Sequence, residues 1–294
     1  MEDGRLSRVP APALFVASGL TQYVGAAIAV GLFSVLAAPT VAWLRLVVAA
    51  LVLVAWRRPW RLRWTRRDLA VVAAFGSVLA AMNVAFYVAI DHLPLGTAVA
   101  IEFLGPIGVA AVAGRGWRER VGIVLAAAGV ALLAGVTVSG GGGADVVVGL
   151  VAILLSAVCW AGYILLGRRV AIGGSGVTSL SLAMAAGAVV FAPFLAADAG
   201  PVLSDGGLAL AVLGVGVLSS AVPYAIDQVV LRRVGPAAFA VLLALLPATA
   251  ALVGALVLRQ WPHPLDVVGL LAVSGAIALT SGRPAPAVAA APVP

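Results

Sequence analysis

The sequence predicts an all-α polytopic membrane protein: ten transmembrane helices forming two inverted five-helix repeats, with both termini cytoplasmic. Three observations carry this. Of 294 residues, 63% are hydrophobic and only 10% charged, with a mean hydropathy of +1.17, whereas a water-soluble domain carries about 25% charged residues. Apolar runs of about 20 residues, the length that crosses a hydrocarbon core, recur from end to end. Arginines collect in alternate loops, the pattern that orients membrane helices.

Polar or glycine-rich breaks separate ten spans, near 12–33, 39–56, 69–90, 94–113, 120–138, 146–167, 177–197, 207–230, 235–257 and 265–282. The first follows Arg5 and Arg8 as a signal peptide would. It exceeds the usual h-region of about 7–15 residues and a second span follows at once, so it reads as an uncleaved helix. The stretch SGGGGAD at 139–145 reads as a flexible linker. It divides a first repeat at 1–138 from a second at 146–283. The Pro- and Ala-rich tail at 284–294 cannot continue a helix and is expected to be disordered.

With a cytoplasmic N-terminus, the inside segments hold Arg5 and Arg8, the block RRPWRLRWTRRD from Arg57, then Arg115, Arg118 and Arg120, Arg168 and Arg169, Arg232 and Arg233, and Arg283. The outside loops keep Arg259 alone, together with Asp91, Asp145, Asp198, Asp205 and Asp266. The two halves also echo each other. LPLGTAVAIEFLGP from Leu93 aligns with VGPAAFAVLLALLP from Val234 at a constant offset of 141, and VGIVLAAAGVALLAG from Val121 parallels VGLLAVSGAIALTSG from Val268. Five spans per half force the second half to enter from the opposite side. The outside pair Asp91-His92 accordingly corresponds to the inside pair Arg232-Arg233. Inverted repeats of this kind characterise secondary transporters, whose substrate sites lie near the bilayer midplane between the halves.

Other classes fit poorly. The net charge of +7 comes from arginines spread over short loops, which argues against a nucleic-acid partner. The block from Arg57 reads instead as a loop held by anionic lipid. The single Cys159 excludes an intramolecular disulfide and a multi-cysteine metal site, and His92 and His263 lie far apart in loops, so no metal or cofactor is expected. No phosphate loop, nucleophile elbow or close carboxylate pair supports an enzyme.

Two acids lie well inside spans, Glu102 in the fourth and Asp227 in the eighth. A charge near the bilayer centre costs about 2.5–3.5 kcal/mol on insertion scales, so such groups face a cavity or a partner. Pro106 lacks an N–H and clashes with the carbonyl four residues earlier, so the fourth span is expected to bend at Glu102 and present an acid beside an unpaired carbonyl. An ammonium group or a coupling proton is the natural guest. Pro247 repeats the bend without the acid and is expected to free the carbonyl of Leu243, while Pro223 frees that of Ser219. Asp227 is a second candidate for the proton, or pairs with the arginines that follow it. Gly105, Pro106, Pro223 and Pro247 are expected to supply the bends that rocking between halves needs.

Further polar side chains in apolar runs are Gln22, Tyr23, Asn83, Tyr87, Trp160, Tyr163 and Tyr224, candidates for lining a substrate cavity. Asn83 and Tyr87, four apart, share a helix face. Arg45 lies two turns into the second span. It can bind a substrate carboxylate, but snorkelling to the outer headgroups is the favoured expectation.

Several stretches resemble the ten-helix EamA-type branch of the drug/metabolite transporter superfamily, and within it the bacterial threonine/homoserine exporter subgroup. They are RPWRLR from Arg58, MNVAFYVAI from Met82, PLGTAVAIEFLGP from Pro94, CWAGYILLGRR from Cys159 and LSSAVPYAIDQ from Leu218. The resemblance covers 12–283 and implies two inverted five-helix bundles around a central cavity. It also implies a multi-pass protein of the bacterial cytoplasmic (inner) membrane that exports small amino acids or related metabolites by alternating access. Glu102 matches the family's fourth-helix glutamate. Where the subgroup commonly carries glutamates in and after the ninth span, this chain has Leu246 and Gln260, which points to a more apolar amino acid or another metabolite. The alternative cargoes within the superfamily are cationic drugs, nucleotide sugars and sugar phosphates, and a membrane enzyme is the less favoured class.

Overall fold

The computed structural model describes residues 10–113, 116–139, 143–171, 176–223, 226, 230 and 242–280, and among them there is no strand. The helices are α1 (Ala11–Leu32), α2 (Ala38–Arg57), α3 (Arg66–His92), α4 (Leu95–Glu102), α5 (Leu104–Ala113), α6 (Trp117–Ser139), α7 (Gly143–Ala171), α8 (Gly176–Leu195), the short α9 (Gly200–Ser204), α10 (Gly206–Gly216), α11 (Leu246–Val257) and α12 (Pro264–Thr280). A π-helical turn, Val217–Ala221, extends α10. Among the described residues, seven helices are long and apolar enough to cross a membrane. An eighth joins them if the pair Ala197–Ser204 and Gly206–Ala221, bent by 114°, is one span. Two shorter apolar helices, Leu243–Val257 and Pro264–Thr280, follow. The chain is a polytopic helical membrane protein.

Local chemistry fixes the helix ends. Proline stands in the first turn of α1 and α2, where its missing N–H costs nothing. A capping box opens α3: Thr65 Oγ1 accepts from the Asp68 N–H at 3.2 Å, and Asp68 Oδ2 accepts from the Thr65 N–H at 3.0 Å. The fourth apolar run breaks at Phe103, between α4 and α5, three residues before Pro106. Leu95–Val112 nevertheless counts as one continuous span. The carbonyl of Leu243 behaves otherwise. Pro247 falls in the first turn of α11, and the chain before it tightens into a 3₁₀ turn in which the Leu246 N–H donates to Leu243 O. That carbonyl is therefore paired rather than freed, because a shorter-range donor replaces the one proline lacks.

Packing runs mainly between the two halves of the chain. α3 packs on α7 and α8, α2 on α8, α6 on α12, α4 on α11, and both α4 and α5 on α7. α1 packs on α11, and α10 with its π turn packs on α1 and α2. Absent side chains permit the closest approaches. A Cβ on Gly76 of α3 would lie 2.0 Å from Ala183 O of α8, and one on Gly105 of α5 would lie 2.2 Å from Ala157 O of α7.

The buried apolar side chains form two clusters. One gathers Phe15, Val41, Ala42, Phe86, Tyr87, Leu95, Ile101, Phe103 and Ile153. The other gathers Leu46, Leu53, Val72, Phe75, Leu79, Ala183 and Met184. Along α2 the change from one cluster to the other falls between Ala42 and Leu46, and along α3 between Ala80 and Phe86. Along α7 it falls between Trp160, which packs against the first cluster, and Tyr163, which packs against the second. Arg45 and Asn83 stand at the first two crossings, and Ser156 lies on α7 one turn before Trp160.

Candidate functional site

The crossings make a polar layer inside the bundle. Ser156, fully buried on α7, lies 2.5 Å from Glu102 Oε1 at the end of α4 and 2.9 Å from the Met82 carbonyl on α3. One hydroxyl proton cannot serve both acceptors. If Ser156 donates to Met82 O, the short contact to Glu102 needs a proton on the carboxyl, which then donates to Ser156 Oγ. If Ser156 donates to Glu102, Met82 O goes without it. The group thus has a place for one exchangeable proton.

On the neighbouring residue of α3, Asn83 Nδ2 donates to Leu79 O at 2.7 Å, which turns Asn83 Oδ1 toward α2. There it accepts from Arg45 Nη1 at 2.8 Å. Arg45 Nη2 donates to Ser219 O at 2.9 Å and Nε to Ser220 Oγ at 3.1 Å, both in the π turn. The guanidinium carbon lies 5.4 Å from the Tyr87 ring centre, within cation–π range. The expectation that Arg45 snorkels outward is therefore wrong. Acceptors on α3 and on the π turn hold its head inside, and none of them was visible from its own helix. Ser219 O, to which Pro223 four residues on can donate no N–H, accepts from Arg45 instead.

The other residues singled out from sequence divide into near and far. Trp160, one turn beyond Ser156, packs at 4.8 Å on Phe103, the residue at the helix break. The carbonyl of Gln22 accepts from Ser219 Oγ at 3.3 Å, and Tyr23 is buried beside it on α1. Gly105 lets α5 meet α7 at the carbonyl next to Ser156. Pro106 is half-buried on α5, and the buried Pro223 accepts from Ser18 Oγ at 3.5 Å. Tyr163 is farther off, stacked at 4.7 Å on Phe75 in the second cluster. Tyr224 and Asp227 lie outside the described residues. Leu246 is buried against Gly19 of α1. Gln260 accepts from the Leu95 N–H at 2.9 Å, capping the start of α4 about two turns from Glu102.

Sequence reading missed Ser156, Ser219 and Ser220 as side chains. The signal was weak, because serine in a helix often bonds its own backbone and passes for a neutral filler. All three are buried here and reach other helices or their residues. Among the described residues no cluster of His, Cys, Asp and Glu could hold a metal ion.

A bundle of apolar helices enclosing a polar layer with one acid and one guanidinium is the build of a membrane carrier for a small polar solute. Residues 147–282 match the model of the EamA-like transporter family. The chain is 34% identical over 256 residues to the threonine/homoserine exporter RhtA of Escherichia coli K12, covering 86% of this chain and 84% of that protein. It is 33% identical over the same length to RhtA of Salmonella typhimurium LT2. This chain belongs to the EamA-like transporter family. A chain from a solved crystal structure superposes with a TM-score of 0.60 at 18% identity, covering 92% of this chain and 95% of that one, a likeness of fold.

Proposed function

We propose that this transporter exports threonine-like small amino acids across the bacterial cytoplasmic membrane by alternating access between two inverted five-helix repeats. The observation that carries the reading is the Glu102–Ser156–Met82 group, an acid sharing one hydroxyl with a backbone carbonyl at a helix break inside the bundle. Glu102 meets the substrate amine or carries a coupling proton, with Asp227 a second candidate for the proton. Asn83, Tyr87, Trp160, Gln22, Tyr23, Tyr163 and Tyr224 are the proposed lining residues, and Gly105, Pro106, Pro223 and Pro247 the proposed bends.

The packing supports the repeat. Exchanging the halves of the chain turns the α3–α7 contact into that of the α10 segment with α1, and the α3–α8 contact into that of the α10 segment with α2. It likewise turns α4/α5–α7 into α11–α1, and returns α2–α8, α4–α11 and α6–α12 to themselves. A two-fold relation between inverted repeats requires this pattern. The names of the relatives support the substrate class.

The test is transport by purified protein in liposomes loaded with one labelled solute at a time. Threonine and its small neighbours are expected to leave faster than from protein-free liposomes. Movement of cationic drugs, nucleotide sugars or sugar phosphates, with every amino acid retained, overturns the substrate class.

A further inference from the structure

We propose that Arg45 is the carboxylate-recognition residue of this site, and that the substrate carboxylate takes the place of the Ser219 carbonyl and the Ser220 hydroxyl on its guanidinium. The inference rests on the amino-acid reading above and specifies how the second charge of the substrate is met.

Arg45 is a permanent cation held in the interior of the bundle. Its three hydrogen bonds go to neutral oxygens, Asn83 Oδ1, Ser219 O and Ser220 Oγ, and among the described residues no carboxylate pairs with it. Neutral acceptors compensate a desolvated guanidinium less well than an anion does, since charge-assisted bonds are about twice as strong. Two further N–H donors, one on each terminal nitrogen, have no hydrogen-bond partner among the described residues, so the guanidinium is under-compensated as it stands.

Geometry places the opposite pole close by. Glu102 reaches α3 through Ser156 at the Met82 carbonyl, and Arg45 reaches it at the very next residue, Asn83. An acid and a guanidinium a single α3 residue apart suit a zwitterion, whose ammonium faces Glu102 and whose carboxylate faces Arg45. The acceptors that the carboxylate displaces belong to the π turn of the second half, seated against Gly25 of α1, where a Cβ would lie 2.3 Å from Ser219 Oγ. Binding thereby releases a contact between the halves.

The test compares threonine with threoninamide, which keeps the amine and side chain but lacks the negative charge, by thermal-shift titration of purified protein. Wild type is expected to prefer threonine by roughly 100-fold, and Arg45→Gln to lose that preference while holding threoninamide as before. Ser220→Ala, which removes a competitor for the guanidinium, is expected to tighten threonine binding roughly fivefold, and it decides the matter if Arg45→Gln does not fold. An undiminished preference in Arg45→Gln, or unchanged threonine affinity in Ser220→Ala, overturns the proposal. So does an Asp227→Asn variant that reproduces Arg45→Gln, which would make Asp227 the counter-ion. If wild type binds no amino acid, the amino-acid reading itself fails, a result distinct from all of these.

Discussion

Replacing Glu102 by Gln is expected to lower threonine export by about 100-fold or more, with the protein made and inserted at normal levels. The amide keeps the volume and an acceptor for Ser156, so the fold survives. What disappears is the charge that meets an ammonium and the site that takes up a proton. Any residual export is therefore expected to lose its dependence on pH across the range where wild type varies. Ser156→Ala is expected to fall between the two, about tenfold below wild type, because it removes one buried hydrogen bond and the link to Met82 O but leaves the acid. Proteoliposome efflux at several pH values checks both. Wild-type rates and an unchanged pH profile in Glu102→Gln would remove this residue from the transport step.

The second large effect concerns packing. Gly76→Ala is expected to destabilise the bundle by about 1–3 kcal/mol, because the added Cβ would sit 2.0 Å from a backbone carbonyl of α8 that has no rotamer to escape by. Gly187 faces the same seam, its Cβ 2.4 Å from Gly76 O, so neither helix can yield without parting from the other. Gly31→Ala is the contrasting substitution. Nothing lies within 4 Å of its added Cβ, and it is expected to be neutral or stabilising by up to about 1 kcal/mol. Thermal unfolding of the two variants in one detergent compares them. Equal midpoints would mean that α3 and α8 do not pack as described.

Much of this was legible in the sequence, and the reasons are specific. Composition and run length set the class, since lipid leaves a chain few options besides helices. Pro106 announced the break beside Glu102 because the ring clash is local and no neighbour relieves it. The spacing of Asn83 and Tyr87 placed them on one face, and both now face Arg45. The direction of Arg45 was not legible. The choice is made by Ser219 and Ser220, far along the chain. The carbonyl of Leu243 failed for a related reason: the backbone before Pro247 had a second way to pair it, through a 3₁₀ turn. Ser156 gave no periodic signal at all, and only its position across from Glu102 gives it meaning.

The central claim is that the layer around Glu102 holds the transported solute. Cys159, the sole cysteine of the chain, lies three residues from Ser156, the partner of Glu102, on the same face of α7. The most direct measurement is the rate of its alkylation by N-ethylmaleimide in proteoliposomes, with and without threonine. Occupancy of the site predicts a rate that falls steadily with threonine concentration, with the same half-saturation as transport. Threonine export that saturates while Cys159 reacts at an unchanged rate would contradict the account.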